Sequence, residues 1–354
     1  MPPTSVHFNG SVNLPDAETV MREIASRIPR GLRRMTEGET GERNLWIQFQ
    51  IKKFLTMPEF ESAGTIQIPG QEDTPRPPVP QLRLAEGVAA SDLRWPDLGY
   101  ASAYAKSYAT FRALQDDGTI PPGVRFQLQY PTPLASVSGR IVDEDHDAVT
   151  DSYESALFAD VDRALGQMPH DKIALQWDVA VEIGLLEGWI GTPAEIQEIV
   201  PALGRCVDRV PGDVPVGMHL CYGDNGHQHF KQPDSLQVQV RLANALSRAA
   251  GRPVNWFAFT VPQARRENAY FAPLRELRVD AETELDFALV PYHPADQAPG
   301  TTDEQIRLID GHLAESPSGS RPWGICTECG MGRVHANDVA ALLDLHREIL
   351  EARP

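Results

Sequence analysis

The segment His219-Leu220-Cys221 sets an imidazole and a thiol two residues apart, and Cys326-Thr327-Glu328-Cys329 adds two more thiols near the end of the chain. On an extended strand, residues i and i+2 face the same way, so His219 and Cys221 form a preset pair of ligands. Imidazole and thiolate are the donors that borderline-soft Zn²⁺ accepts, and three protein ligands with one open position make a catalytic arrangement. Cys329 is the expected third ligand, and Cys326 is a weaker candidate through the Cys-x-x-Cys spacing. Unreactive buried thiols are the competing explanation, since free cysteine is among the most buried residue types. Cys206 and His346, on apolar helix stripes, are read as structural.

Further polar residues cluster after β-prone segments. Asp178, after Gln176-Trp177, is a candidate acid, base or grip for an ammonium group, with Glu182 one helical turn on. His227 and His229 follow Cys221 closely and are candidate proton shuttles near neutral pH. In Glu37-Gly38-Glu39-Thr40-Gly41-Glu42-Arg43 the glycines allow a ligand close to the backbone, which makes Glu37, Glu39 and Arg43 candidate substrate contacts. The same stretch is also good helix-start chemistry. Trp177, Asp224 and Tyr292 complete the candidate substrate contacts, and Asp224 is a candidate to orient His219.

Such residues act together only if the fold gathers them. Short β-prone segments at 6–9, 32–35, 124–128, 173–177, 215–220, 254–259, 285–289 and 323–326 alternate with helical patterns. The helical patterns are 16–28, 43–55, 100–115, 152–166, 193–209, 234–250, 303–314 and 337–350. Asp16 precedes an apolar stripe of Val20, Ile24 and Ile28, and Asn337 one of Val339, Leu342, Leu343, His346, Ile349 and Leu350. Eight strands with eight helices fit an α/β (β/α)₈ TIM barrel better than an open doubly wound sheet, and no Gly-rich phosphate fingerprint follows any strand. The expected organisation is one barrel domain over 1–354, with 69–82 as a Pro-rich insertion or linker. In such a barrel the loops after the strands carry the function.

With 49 acidic and 32 basic residues the formal charge is −17, which repels phosphate backbones and anionic lipid and argues against nucleic-acid or membrane partners. No apolar run approaches a membrane span, and the opening Met-Pro-Pro-Thr-Ser-Val-His lacks a basic region followed by an apolar stretch, so a cytoplasmic protein is expected. Four cysteines in 354 residues are too few for a disulfide framework.

The stretches Gly217-Met218-His219-Leu220-Cys221-Tyr222-Gly223-Asp224, Gln176-Trp177-Asp178 and Glu328-Cys329-Gly330-Met331-Gly332-Arg333 together resemble the cobalamin-independent methionine synthase family. More broadly they resemble its superfamily with uroporphyrinogen decarboxylase, and most of all its short single-barrel members such as the epoxyalkane:coenzyme M transferases. Residues 285–293 are similar to the family's seventh strand and loop, and 266–274 to a segment of the short members. The resemblance implies a barrel that binds zinc through His219, Cys221 and Cys329 and holds a substrate thiol as thiolate for alkylation. A free thiol with a pKa near ~8.5 is mostly protonated at neutral pH, and metal binding removes that proton.

Two departures shape the expectation. Methionine synthase has a glutamate ligand at the end of its sixth strand, where residues 256–262 here carry no carboxylate, and it has two barrels holding methyltetrahydrofolate between them. The expected activity is zinc-dependent transfer of a methyl or other alkyl group to a thiol, the partners being a small-molecule thiol and an alkyl donor. Two alternatives stand beside it. One is a zinc lyase or hydrolase using zinc-bound water with help from His227 or His229. The other is a metal- or corrinoid-binding partner of a separate methyltransferase, which brings in a corrinoid protein.

Overall fold

The computed structural model describes residues 3–44, 46–67, 78–189, 192–224, 228–292, 296 and 298–352. In chain order the strands are β1 (Ser5–Val6), β2 (Arg34–Thr36), β3 (Phe60–Ile66), β4 (Val79–Leu84), β5 (Arg125–Pro131), β6 (Ile173–Val179), β7 (Val216–Leu220), β8 (Trp256–Phe259), β9 (Glu284–Val290) and β10 (Gly324–Thr327). The helices are α1 (Ala17–Arg27), α2 (Gln48–Phe54), α3 (Tyr100–Asp116), α4 (Pro133–Val137), α5 (Asp143–Gly166), α6 (Val181–Leu186), α7 (Ile196–Arg209), α8 (Gln237–Ala249), α9 (Asn268–Phe271), α10 (Thr301–Ala314) and α11 (Val339–Glu351).

Eight strands form one parallel sheet in the order β1-β10-β9-β8-β7-β6-β5-β2. A parallel bridge between Val6 and Leu32, with the Val6 amide donating to the Gly31 carbonyl at 3.0 Å, brings β1 against the chain entering β2. The sheet thereby curls round on itself as a TIM-barrel-like α/β fold, and the open doubly wound alternative is set aside. Every expected strand is present within a few residues.

The helices cover the outside because their apolar stripes face the strands. Asp16 Oδ1 accepts from the Thr19 amide at 2.8 Å to start α1, whose Val20, Met21 and Ile24 are buried. At α11 the start differs from expectation: a 3₁₀ turn over Ala336–Asp338 precedes it, so Asn337 lies before the cap. The helix expected at 43–55 is shorter, because Trp46 takes a positive φ of 57° and separates a 3₁₀ turn at Gly41–Arg43 from α2. The one expected at 152–166 is longer, since α5 begins at Asp143 with Asp143, Glu144 and Asp145 in its first turn, where acids complement the helix dipole.

The Pro-rich stretch runs into a two-stranded ribbon that lies between β2 and β5 in chain order. β3 and β4 pair antiparallel, so the end of the stretch, 79–82, is strand, while 68–77 lies outside the described residues. Pro80 is tolerated because the Leu82 amide, two residues on, points outward to the Arg140 carbonyl at 2.7 Å, and Pro80 shares that outer side.

Alternation along the strands sorts side chains into two layers. Gln176 and Asp178 of β6 point into the barrel, while Trp177 points out and packs against Tyr130 and, on α5, Phe158, with ring centroids 5.8 and 6.1 Å away. Inside, the Trp256 indole lies 4.1 Å from the Arg34 guanidinium and fills the space a side chain at Gly217 would need. A Cβ there would come within 2.0 Å of the ring. Arg34 is paired with Glu284 at 2.7 Å and Asp286 at 3.6 Å. Burial still pushes the Asp286 carboxyl up to about 7 against the opposing pull of Arg34.

Candidate metal centre

β7 delivers His219 and Cys221 to the C-terminal mouth, and the turn after β10 delivers Cys329. Their ligand atoms all lie within 4.8 Å of one another, with the two sulfurs 3.4 Å apart. Two thiolates on one tetrahedral zinc, each at ~2.3 Å, stand about 3.8 Å from each other, so the donor set fits that ion with a shift of a few tenths of an ångström. His219 and Cys221 are buried, and Cys329 is the half-buried member. The three residues are a group able to hold a metal ion.

The loop carrying Cys329 leans on the start of the chain. Asn9 Nδ2 donates to the Thr327 carbonyl at 2.7 Å, the Asn13 amide donates to the Met331 carbonyl at 3.1 Å, and Val12 bridges Met331. Gly330 and Gly332 let Ser11 approach, since a Cβ on either would fall 2.5 or 2.6 Å from Ser11 Oγ.

Asp178 sits opposite His219 in the β6–β7 register and its Oδ1 lies 3.2 Å from His219 Nδ1. It is therefore Asp178, rather than Asp224, that orients the imidazole and leaves Nε2 facing the mouth. Gln176 Nε2 donates to the same Asp178 oxygen at 3.0 Å, and Gln176 Oε1 meets His7 Nε2 at 2.7 Å, so a polar relay runs down the barrel interior. Burial opposes protonation of His219, but the Asp178 carboxylate, the Cys329 thiol and the Glu328 carbonyl hold its pKa above the ordinary value. The two thiols are in contact but shifted in opposite directions. The contact from Cys221 lowers the pKa of Cys329, with help from His219 and Arg333, while the same contact and burial raise Cys221. The Gly223 amide donates to Cys221 Sγ at 3.2 Å.

The remaining candidates divide between mouth and packing layers. Glu39 is buried at a positive φ of 47°, and burial together with Asp178, Glu37 and Cys329 pushes its pKa well up, with Arg43 opposing. Tyr292 lies in the field of Cys329, Asp224, Cys221 and Glu328, and Asp224 pairs with Arg333 at 3.5 Å. His229 Nε2 lies 2.6 Å from Glu328 Oε2, and although burial works against its charge, Glu328 and Cys329 raise its pKa. Glu37 instead holds the loop together: Arg43 Nη2 lies 2.7 and 2.8 Å from its two oxygens, and the Ser107 hydroxyl donates to it at 3.0 Å. The pair leaves Arg43 Nη1 without a hydrogen-bond partner.

Three expectations do not meet the mouth. Trp177 points outward, as its place between two inward residues requires. Glu182 is buried beside Thr132 and Cys206, and burial lifts its carboxyl to about 7. Cys326 is not among the gathered ligand atoms; it faces the interior near Asn9 and Asp286, where burial raises its thiol well above the ordinary range. His227 lies outside the described residues. Glu328, Arg333, Gln176 and His7 stood in sequence without an assigned role, and the period-two spacing of Gln176 with Asp178 is the signal that marks the first of the relay.

No family model matches the chain, and no curated protein matches it. Among solved structures it is similar to that of a candidate vitamin-B12 independent methionine synthase from Listeria monocytogenes, with a TM-score of 0.58 and 11% identity over 99% of this chain and 98% of that one. The two share a barrel fold. No described helix is long and apolar enough to cross a membrane.

Proposed function

We propose that the chain is an enzyme that transfers a methyl or other alkyl group to a small-molecule thiol, with zinc held by His219, Cys221 and Cys329. The observation that carries this reading is the convergence of one imidazole and two thiols from two strand ends at the mouth, with no carboxylate at the end of β8 to fill a fourth position. Zinc bound there supplies a site that keeps the acceptor sulfur deprotonated and nucleophilic. Two thiolate ligands favour that role over strong activation of water. Asp178, fixed by Gln176, holds His219 Nδ1 and so assigns Nε2, now 3.4 Å from the Glu328 carbonyl, to the metal. Glu39 and Asp178 put two carboxyl groups in each other's field, an arrangement that a positively charged substrate group relieves. His229 and Glu328 form a dyad beside Cys329 that can take up the proton of the incoming thiol. The fold shared with the Listeria structure supports the reading at the level of architecture.

A second reading has its own observation in that dyad, which equally suits activation of water for a lyase or hydrolase reaction. X-ray absorption at the zinc edge on the purified protein, before and after a panel of small thiols, separates the two. One nitrogen and two sulfur ligands, with a third sulfur gained from one thiol, is the result expected for alkyl transfer. A sulfur count unchanged by every thiol supports the water-based reaction, and absence of stoichiometric metal overturns both. Cys221→Ser and Cys329→Ser are each expected to lose most bound zinc while remaining folded.

A further inference from the structure

Four arginines are buried among the described residues: Arg34, Arg43, Arg140 and Arg321. Three of them are matched. Arg34 pairs with Glu284 and Asp286, Arg43 pairs with Glu37, and Arg321 donates to the carbonyls of Asp280, Thr283 and Ser318 at 2.6–3.0 Å. Arg140 is different. Each of the four has a guanidinium nitrogen without a hydrogen-bond partner, but the Arg140 guanidinium reaches one carbonyl in all, that of Ser138, at 3.3 Å, and no carboxylate acts on it.

The position is nevertheless fixed. The Arg140 amide donates to the Val137 carbonyl at 3.0 Å and its own carbonyl accepts from the Leu82 amide at 2.7 Å, which anchors it between α4 and α5 on the mouth side of the barrel. Around the guanidinium stand Tyr153, beside Ser136, and Tyr100 at the start of α3. Tyr100 is buried, its hydroxyl makes no hydrogen bond, and it stands in the fields of Tyr153 on one side and of Glu39 and Arg43 on the other. The tyrosines thus connect Arg140 to the loop that borders the metal centre.

Leaving a buried cation unmatched is costly, and burial lowers the Arg140 pKa to about 10, with only Tyr153 and Tyr100 opposing. A chain with 49 acidic residues has no shortage of carboxylates to neutralise it. A guanidinium with unused donors in a rigid fork matches the paired oxygens of a carboxylate, sulfonate or phosphate, and a phenol hydroxyl adds a further donor.

We infer that Arg140, with Tyr100 and Tyr153, is a receptor for the oxyanion group of a small-molecule ligand. The site goes beyond the alkyl-transfer reading and does not depend on the metal, so the two can fail separately. Zinc-free protein is titrated by calorimetry with acetate, methanesulfonate, sulfate and inorganic phosphate, then with carboxylates and sulfonates of longer alkyl chains. Saturable binding that weakens at least about tenfold in Arg140→Met is expected. Affinity that rises with chain length identifies a substrate-borne group, and binding of sulfate or phosphate alone identifies a free inorganic oxyanion. Arg140→Met is expected to melt no lower than the native chain, since it removes an unmatched buried charge. Hydrogen exchange of the native chain is the second measurement, with protection of residues 136–142 expected on adding the tightest anion. The inference is overturned if no anion saturates into the tens of millimolar, if Arg140→Met binds as well as the native chain, or if exchange at 136–142 is unmoved.

Discussion

Asp178→Ala tests whether the interior relay shapes the metal centre. The substitution removes the oxygen that lies 3.2 Å from His219 Nδ1 and accepts from Gln176 Nε2 at 3.0 Å. His219 and Gln176 are both buried, so each is left with a polar atom lacking its partner, at about 1–3 kcal/mol of folding stability apiece. Loss of the partner that orients a ligating histidine lowers metal affinity by about 10–100-fold, or about 1.4–2.7 kcal/mol. Two measurements keep these effects apart: urea unfolding of zinc-free protein, and competition for zinc against a chromophoric chelator at fixed pH. Gln176→Leu, which acts on His219 only through Asp178, is expected to lower affinity by less than Asp178→Ala. The reasoning is refuted if Asp178→Ala binds zinc within about threefold of the native chain, or if the order of the two variants is reversed.

Gly217→Ala is expected to destabilise by about 1–3 kcal/mol or more in urea unfolding, because three atoms of the buried Trp256 ring would lie 2.0, 2.1 and 2.5 Å from the new methyl. Cys326→Ser is expected to leave zinc stoichiometry unchanged, since Cys326 stands apart from the ligand group, and loss of zinc would return it to the site. His346 is buried, and burial lowers its pKa from 6.5 to about 4, so its contribution is present above pH ~6.5 and lost as pH falls toward 4. His346→Leu should remove up to about 3 kcal/mol of that acid-side slope, measured by urea unfolding across the window. Glu182 has the opposite sign: burial raises its carboxyl from 4.5 to about 7, so stability is lost as pH rises between those values. Glu182→Gln is therefore expected to gain on the native chain by up to about 3 kcal/mol at neutral pH and to match it near pH 4.

The barrel was legible because its signal is repeated: each β-prone segment and helical stripe states the same alternation, and boundary errors of a few residues leave the count intact. His219 and Cys221 were legible because a strand's period of two is local. What escaped the sequence depends on partners far along the chain. The direction Trp177 faces is set by whether Gln176 and Asp178, which share one face of the strand, turn toward the barrel axis or away from it, and both are polar residues that an outer surface would also accept. Asp178 and Asp224 are equally good carboxylates on paper, and the register that puts Asp178 opposite His219 decides between them. Likewise nothing local distinguishes Arg140, which lacks an acid, from Arg43, whose partner stands six residues away. The β3–β4 ribbon was hidden by prolines whose effect depends on which edge they occupy.

The loop bearing Cys329 rests on residues 9–13, so the first and last strands of the barrel complete the candidate metal centre jointly. Cys221 and Cys329 are 108 residues apart, and Cys329 is among the last parts of the barrel to be synthesised. A growing chain that has made β7 can present His219 and Cys221 but not the third ligand or the seam that positions it. Stable uptake of a metal at these three residues would therefore belong to the finished molecule. Bound metal would tie both ends of the barrel together and serve as a check that its first and last strands have found each other.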